Sequence, residues 1–307
     1  MQHINMSVIG AGLMGVGIAV HFARHGHPIW LYDTDEARIV EAKVVASTIL
    51  DELIATELFS PNDKQQVIQR LYGTTRLKDI ASSSLVIEAI PERLELKHAL
   101  YAQLEQYISA DAIIASNTSG LLPDDLAADL NHPERLLIAH FWNPPHFIPL
   151  VEIVPSSVTK PEYLSALQQL LVAMQLEAVV LERAAPGFVG NRLQFALLRE
   201  ALHIVHSGIA SVETVDRVMR ASLGRRYAMV GPLEAADMTG LTTVLDICRH
   251  LLPELASGNE MMSLVNEKIQ SGHTGLRSGQ GFYRWDEPRK NDIQKRREHQ
   301  LRFGLTP

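Results

Sequence analysis

The chain has 307 residues, 46% of them apolar and 21% charged, the balance of a globular protein with room for two domains. Its formal charge of −7 argues against nucleic acid or an anionic membrane as the main partner, because both call for a basic face. Cys248 is the only cysteine, which excludes an intrachain disulfide and fits a reducing, cytoplasmic setting.

The opening "MQHINMSVIGAG" has no basic stretch leading into a long apolar run, so a secretory leader is not expected. No segment offers the roughly 20 apolar residues of a membrane span. "INMSVIG" predicts a strand, "AGLMGVGIAVHFARHG" a glycine turn running into a helix, and "PIWLYD" a second strand ending in an acid. That order implies a right-handed crossover and a parallel sheet. From Thr34 to Leu71 the pattern is helical, with Ser60 as an N-cap and Pro61 at the first position of the second helix. This inserted pair, near residues 35–71, is longer than a crossover requires and is expected to project from its domain.

Alternation resumes with "SLVIEAI", the helix "RLELKHALYAQLEQYI", the strand "AIIASN", a helix around "PDDLAADL", then "RLLIAHFW" and "LVEIVP". The helix "PEYLSALQQLLVAMQL" and the strand "EAVVLE" close this part. From Pro186 onward apolar residues recur at helical spacing, as in "RLQFALLREALHIVHSG", and "GFYRW" is the one further candidate strand. The tail from Asp286 reads as a solvated helix or a frayed end. The fold class is therefore α/β: a Rossmann-type doubly wound sheet domain over 1–185, followed by an all-α domain over 186–307 for substrate binding and dimerisation.

Gly10, Gly12 and Gly15 form G-x-G-x-x-G between strand and helix. The first glycine permits the tight turn, the second lets backbone approach a pyrophosphate, and the third allows helix to pack on sheet. The amides at Leu13 and Met14 open the helix toward the phosphate charge. Asp33 ends the second strand 23 residues after Gly10, where a carboxylate holds ribose hydroxyls and repels a 2′-phosphate. The cofactor expected is NAD, and no metal is expected.

A second site is expected at strand ends. His140 closes one apolar strand and Glu152 lies in the next. Oxidising an alcohol needs a base for the hydroxyl proton, and imidazole suits the task, with a carboxylate to orient it and stabilise the imidazolium. Asn117 and Ser119 of "ASNTSG" follow another strand, where ligands bind in open α/β sheets. Asn143 starts the "NPP" turn, and Asn191 belongs to "PGFVGNR" at the head of the helical domain. A hydroxyl and amides near an imidazole can hold an alcohol oxygen in line for reaction. Taken singly, Ser119 reads equally as a turn residue and Asn191 as a helix cap.

Together "VIGAGLMGVGIA", "VIEAIPERLELK", "ASNTSG", "HFWNPP…LVEIV", "PGFVGNR", "GPLEAADMTGL" and "GLRSGQGFY" resemble the L-3-hydroxyacyl-CoA dehydrogenase family along nearly the whole chain. The resemblance implies His140 as general base with Glu152 as its partner. It implies Ser119 and Asn191 at the substrate hydroxyl, and Asn143 beside substrate or nicotinamide. It also implies Glu92 and Lys97 near the nicotinamide ribose; the residues alone suggest a surface pair. A helical second domain forming a homodimer and a helical pair assisting coenzyme A are implied as well. "SGLLP", "NPPHFIPLVEIVP" and "LGRRYAMVGPLE" look closest to the lambda-crystallin and L-gulonate 3-dehydrogenase branch. Arg225 and Arg226 would then serve a small free carboxylate, or else form a surface or dimer-interface pair.

The activity expected is NAD-dependent oxidation of the L-3-hydroxyl of a small, L-gulonate-like acid. Alternatives are a 3-hydroxyacyl-CoA dehydrogenase and a non-catalytic, NAD-binding, crystallin-like protein. A 6-phosphogluconate-like dehydrogenase is disfavoured, since "PGFVGNR" has asparagine where that class uses lysine.

Overall fold

Four buried residues, Met6–Ile9, form strand β1 at the centre of an eight-stranded sheet in the computed structural model, which describes residues 4–304. The sheet runs β3-β2-β1-β4-β5-β6-β7-β8. Its strands are β2 (Ile29–Tyr32), β3 (Leu71–Thr74), β4 (Leu85–Glu88), β5 (Ile113–Ser116), β6 (Leu136–Phe141), β7 (Leu150–Pro155) and β8 (Glu177–Val180). Strands β1 to β6 pair in parallel, β7 is antiparallel to β6, and β8 is parallel to β7. Every residue of β1, β4, β5 and β6 is buried, which is why these strands read as continuous apolar runs. The order of strands reverses between β1 and β4, the switch point where open α/β sheets bind ligands.

The helices of this part are α1 (Leu13–Arg24), α2 (Glu36–Ala55), α3 (Lys64–Gln69), α4 (Leu94–Leu104), α5 (Pro123–Ala127) and α6 (Pro161–Ala173). Helix α1 is buried from Gly15 to Ala23. Side chains from Ile9, Val86, Ile114, Ile138 and Val154 meet Tyr101, Leu104, Leu126 and Phe188 in a core on one face of the sheet.

One element differs from the sequence reading, which carried helix through to Leu71. Helix α3 ends at Gln69, and Leu71–Thr74 is instead an edge strand. Only its two end residues are buried, so four residues offer no alternation to read. Gly73 marks the strand's close approach to α2, because a Cβ there would lie 2.4 Å from Ile39.

The chain divides into two compact units, 1–191 and 192–307. Helix α7 (Gly190–His206) begins just before the division. The second unit continues with α8 (Val212–Ala221), α9 (Leu223–Arg226), α10 (Pro232–Thr239), α11 (Leu241–Leu251), α12 (Met262–Gln270) and α13 (Glu287–Gly304). Around "GFYRW" there are isolated bridges, Gly275 with Gln280 and Gln280 with Arg284, in place of a strand. No helix among the described residues is long and apolar enough to cross a membrane.

Candidate active site

Past Ile9 the chain turns at Gly10, whose φ of 101° and 2.6 Å Cβ clearance to the Ala89 carbonyl oxygen both demand glycine. Gly15 is equally constrained, since a Cβ there would sit 1.8 Å from the Gly10 oxygen. Gly12, which N-caps α1, has nothing within 4 Å of a Cβ position. Two of the three glycines therefore serve the turn itself, and the middle one leaves space in front of the helix. No side chain caps α1, so the amides at Leu13 and Met14 face that space with the positive end of the helix behind them.

Asp33, after β2, accepts from the Ala11 amide through Oδ2 at 2.9 Å and from the Asp35 amide through Oδ1 at 3.1 Å. Its carboxylate is thus fixed to the glycine turn. A cleft of about 770 Å³ joins Gly10, Gly12, Leu13, Met14, Asp33 and Ile90. The open space at Gly12 suits a pyrophosphate, and the carboxylate beside it suits a ribose. This donor set fits NAD.

Below the cleft lies a residue that sequence reasoning missed. Glu88 ends β4 fully buried and accepts from the Ile90 amide (2.8 Å), Tyr101 Oη (2.8 Å) and Ser116 Oγ (2.6 Å). Lys97 Nζ reaches both of its oxygens at 2.6 and 2.8 Å. Burial, followed by the Glu88 charge, pushes the Tyr101 phenol well above its usual range. Lys97 is itself wholly buried, so it is not half of the surface pair that the residues alone suggested; its outward neighbour is Glu92, at 3.6 Å. Glu92 Oε1 accepts from Thr118 Oγ1 (2.5 Å) and from the amides of Ser119 (2.9 Å) and Gly120 (3.0 Å). It thereby holds the turn after β5 that presents Ser119. The single acid in the otherwise apolar "VIEAI" gives a signal for Glu88 only once its buried position is known.

Asn117 Oδ1 accepts from the Phe141 amide at 2.8 Å, which ties the end of β5 to the end of β6. Asn191 Nδ2 donates to the Ser119 carbonyl oxygen at 3.3 Å. Asn143 is exposed in the turn after β6, where its peptide bond to Pro144 is cis.

His140 and Glu152 are direct partners across the antiparallel β6–β7 ladder. The twelve-residue spacing, uninformative in sequence, is what a hairpin with this connection converts into adjacency. His140 Nδ1 lies 2.9 Å from Glu152 Oε2, with both side chains buried. The ring has two aromatic neighbours, Trp142 and Phe188, with centroids 5.6 and 5.4 Å away. Glu152 Oε1 accepts from the amides of Val189 (2.9 Å) and Gly190 (3.0 Å) at the start of α7, and Trp142 Nε1 donates to Oε2 at 3.3 Å. Burial pushes the Glu152 carboxyl upward, but the hydrogen bonds from His140, Gly190 and Val189 outweigh it and hold the group below the usual carboxylate range. With Nδ1 engaged by an ionised acid, the other nitrogen, Nε2, is the one left to exchange a proton.

His140 lies at the carboxyl edge of the sheet, as do Gly10, Ala89 and Thr118. Three strand spacings, roughly 14 Å, separate β1 from β6. Arg225 and Arg226 are exposed on α9 in the second unit. No group of three metal-ligating side chains occurs among the described residues.

Comparison with known proteins finds two family models in order along the chain. "3-hydroxyacyl-CoA dehydrogenase, NAD binding domain" matches residues 5–184, and "3-hydroxyacyl-CoA dehydrogenase, C-terminal domain" matches residues 187–285. A 5-formyl-3-hydroxy-2-methylpyridine 4-carboxylate 5-dehydrogenase of Mesorhizobium japonicum is 32% identical over 97% of this chain and 96% of its own. A crystal structure of an enzyme of that name, described as an NAD+-dependent dismutase, superposes with a TM-score of 0.89 at 31% identity, covering 98% of this chain and 96% of its own. A lambda-crystallin homolog of Homo sapiens is 34% identical over 85% of both chains. A probable 3-hydroxybutyryl-CoA dehydrogenase of Deinococcus radiodurans is 34% identical over 92% of this chain and all of its own.

Proposed function

The chain belongs to the 3-hydroxyacyl-CoA dehydrogenase family of NAD-dependent oxidoreductases, and from that premise we propose that it oxidises the L-3-hydroxyl of a small, free, L-gulonate-like hydroxy acid to the 3-oxo acid. The observation that carries this reading is the buried 2.9 Å contact between His140 Nδ1 and Glu152 Oε2 on the edge that also bears the glycine turn. NAD, held at Gly12, the head of α1 and Asp33, supplies the hydride acceptor. His140 Nε2 takes the hydroxyl proton, and ionised Glu152 stabilises the imidazolium that results. The Ser119 hydroxyl and the Asn191 carboxamide hold the alcohol oxygen, with Asn143 beside them. Asn117 fixes the strand end, and Glu92, backed by Lys97, would help hold the nicotinamide ribose.

Charge favours a free acid over a coenzyme A thioester. The helical pair that the resemblance associates with coenzyme A carries six carboxylates against three cations over residues 36–69. One of those cations, Lys64, is already paired with Asp51 at 2.6 Å. Such a surface repels a ligand bearing several phosphates. A relative named for a pyridine carboxylate supports the same reading, whereas the Deinococcus relative named for 3-hydroxybutyryl-CoA favours the thioester. Arg225 and Arg226 are the cations we assign to the substrate carboxylate.

We further propose a cytoplasmic homodimer formed through the second unit. Among its described residues only Leu202 and Met261 are buried apolar side chains, while Leu233, Met238 and Met229 are 78% exposed or more. A second copy covering these side chains would bury the apolar surface that one chain leaves in water.

The test follows reduced cofactor by absorbance with L-gulonate, L-3-hydroxybutyrate, L-carnitine and 3-hydroxybutyryl-CoA. We expect kcat/KM for at least one free acid to exceed that for the thioester. The reverse order would replace the free acid by the thioester, and absence of turnover with all four would contradict the proposal.

A further inference from the structure

We propose that Trp142 is a positioning residue of this site, acting through Glu152 to set how firmly that carboxylate holds the His140 ring. The inference rests on the dehydrogenase reading above and adds to it a residue that neither the spacing nor the resemblance singled out.

Two independent features are built for this indole. Its Nε1 donates to Glu152 Oε2 at 3.3 Å, the same oxygen that takes His140 Nδ1. Its six-membered ring occupies the space where residue 190 would carry a side chain. A Cβ on Gly190 would lie 2.2 Å from Trp142 Cζ2 and 3.0 Å from Cη2. Gly190 also donates its amide to the other Glu152 oxygen, so the absent side chain and the indole N–H serve one carboxylate. Phe188 also packs against the imidazole, in a left-handed conformation with φ 53° and almost fully buried. A non-glycine residue held there is strained, and such strain marks a position that the surroundings over-determine.

The chemistry follows from the shared oxygen. Glu152 is faced by His140 from β6, by Trp142 from the turn after β6, and by the amides of Val189 and Gly190 from the head of α7. No other charged side chain among the described residues makes a hydrogen bond or ion pair with it. A donor on Oε2 draws off part of the negative charge that would otherwise favour imidazolium. Trp142 therefore weakens the pull of Glu152 on the His140 proton, and its N–H keeps the ring a base that can also give the proton up. As an aromatic wall it keeps Oε2 from taking a water in the same direction.

The decisive variant is Trp142→Phe, which keeps a ring and removes the N–H. The His140 ring is followed by NMR as a function of pH, with its resonance assigned by its absence in His140→Ala, and the acid limb of kcat is recorded in parallel. Both should move upward in Trp142→Phe, by about half a pH unit or more. A protein in which Trp142 only fills space would show lower stability and an unmoved titration, and that result would overturn the proposal. The three tryptophans can also be replaced biosynthetically by 5-fluorotryptophan, whose N–H is the stronger donor. The His140 titration should then move downward, and no movement would count against the proposal even where Trp142→Phe does not fold. Because the NMR titration needs no substrate, it decides the role of Trp142 even if none of the proposed acids is turned over.

Discussion

Replacing Glu152 with glutamine removes one charge and almost no volume, so its consequences lie in hydrogen bonding and charge rather than packing. Four donors converge on the carboxylate: the amides of Val189 and Gly190 on one oxygen, His140 Nδ1 and Trp142 Nε1 on the other. An amide has one acceptor oxygen, so its NH2 group has to face one of these pairs. Facing the α7 amides, it leaves two partly buried backbone donors unsatisfied. Facing the ring, it pulls His140 into the tautomer that carries its proton on Nε2, the nitrogen needed as base. An unsatisfied buried donor costs about 1–3 kcal/mol, so two of them set a loss of about 2–6 kcal/mol of stability for Glu152→Gln, toward the lower end because both amides are only partly buried. With the wrong tautomer and no anion beside the imidazolium, kcat should fall by on the order of 10³ to 10⁴. NAD affinity should stay within about twofold, because Asp33 and the glycine turn are untouched. Steady-state kinetics with reduced-cofactor absorbance and calorimetric NAD titration measure both quantities on the same preparation. A folded Glu152→Gln enzyme with kcat within tenfold of the parent would show that neither the tautomer nor the anion matters to the rate.

Two glycines of the same motif should respond in opposite ways. Gly12→Ala meets nothing within 4 Å, so it should fold normally and lose NAD affinity by about tenfold or more, while Gly15→Ala collides with the Gly10 oxygen and should lose stability first; thermal unfolding beside NAD titration separates the two, and equal behaviour would contradict the assigned roles. Stability should also fall on mild acidification because of His21. Burial, reinforced by the His25 and Arg24 charges, lowers His21 from 6.5 to about 3, so the folded chain keeps it neutral where the unfolded chain protonates it. The stability is fully present above pH 6.5 and drains away as pH falls toward 3, at about 1.4 kcal/mol per unit. Below the usual carboxylate range of 4.5 the depressed carboxyls of Glu105 and Glu152 add to the loss, since protonating them breaks their hydrogen bonds. Urea unfolding at pH 7.5 and at pH 5 measures the first effect, and His21→Gln should flatten it.

The sequence made the frame of the molecule legible wherever periodicity and punctuation agreed. Strands β1, β2 and β4 to β7 are mostly buried runs that leave no polar alternation to confuse, β8 is a short apolar run after a helix at the sheet edge, and the glycine turn sits between the first strand and helix in the expected order. Strand β3 was not legible, because four residues at an edge with two exposed cannot outweigh the helical pattern that precedes them. The site divides in the same way. Asp33 and the glycines are local in sequence and could be read from spacing alone. His140 and Glu152 become partners only through the β6–β7 register, and spacing does not encode register without the hairpin. Glu88 and Trp142 were overlooked for a related reason: an acid at a strand end and an aromatic in a turn take their meaning from a handful of atoms supplied by distant segments. Lys97 shows the converse: spacing alone suggested an exposed helix pair, and only the fold reveals its ammonium buried against Glu88, with Glu92 beside it.

Turnover and NAD binding in His140→Ala, measured side by side on folded protein, bear on the proposed base without intermediaries. NAD affinity should remain close to that of the parent while the rate falls by on the order of 10³ or more. Turnover preserved within tenfold would contradict the assignment of His140, because the proton would then be leaving the alcohol by another route.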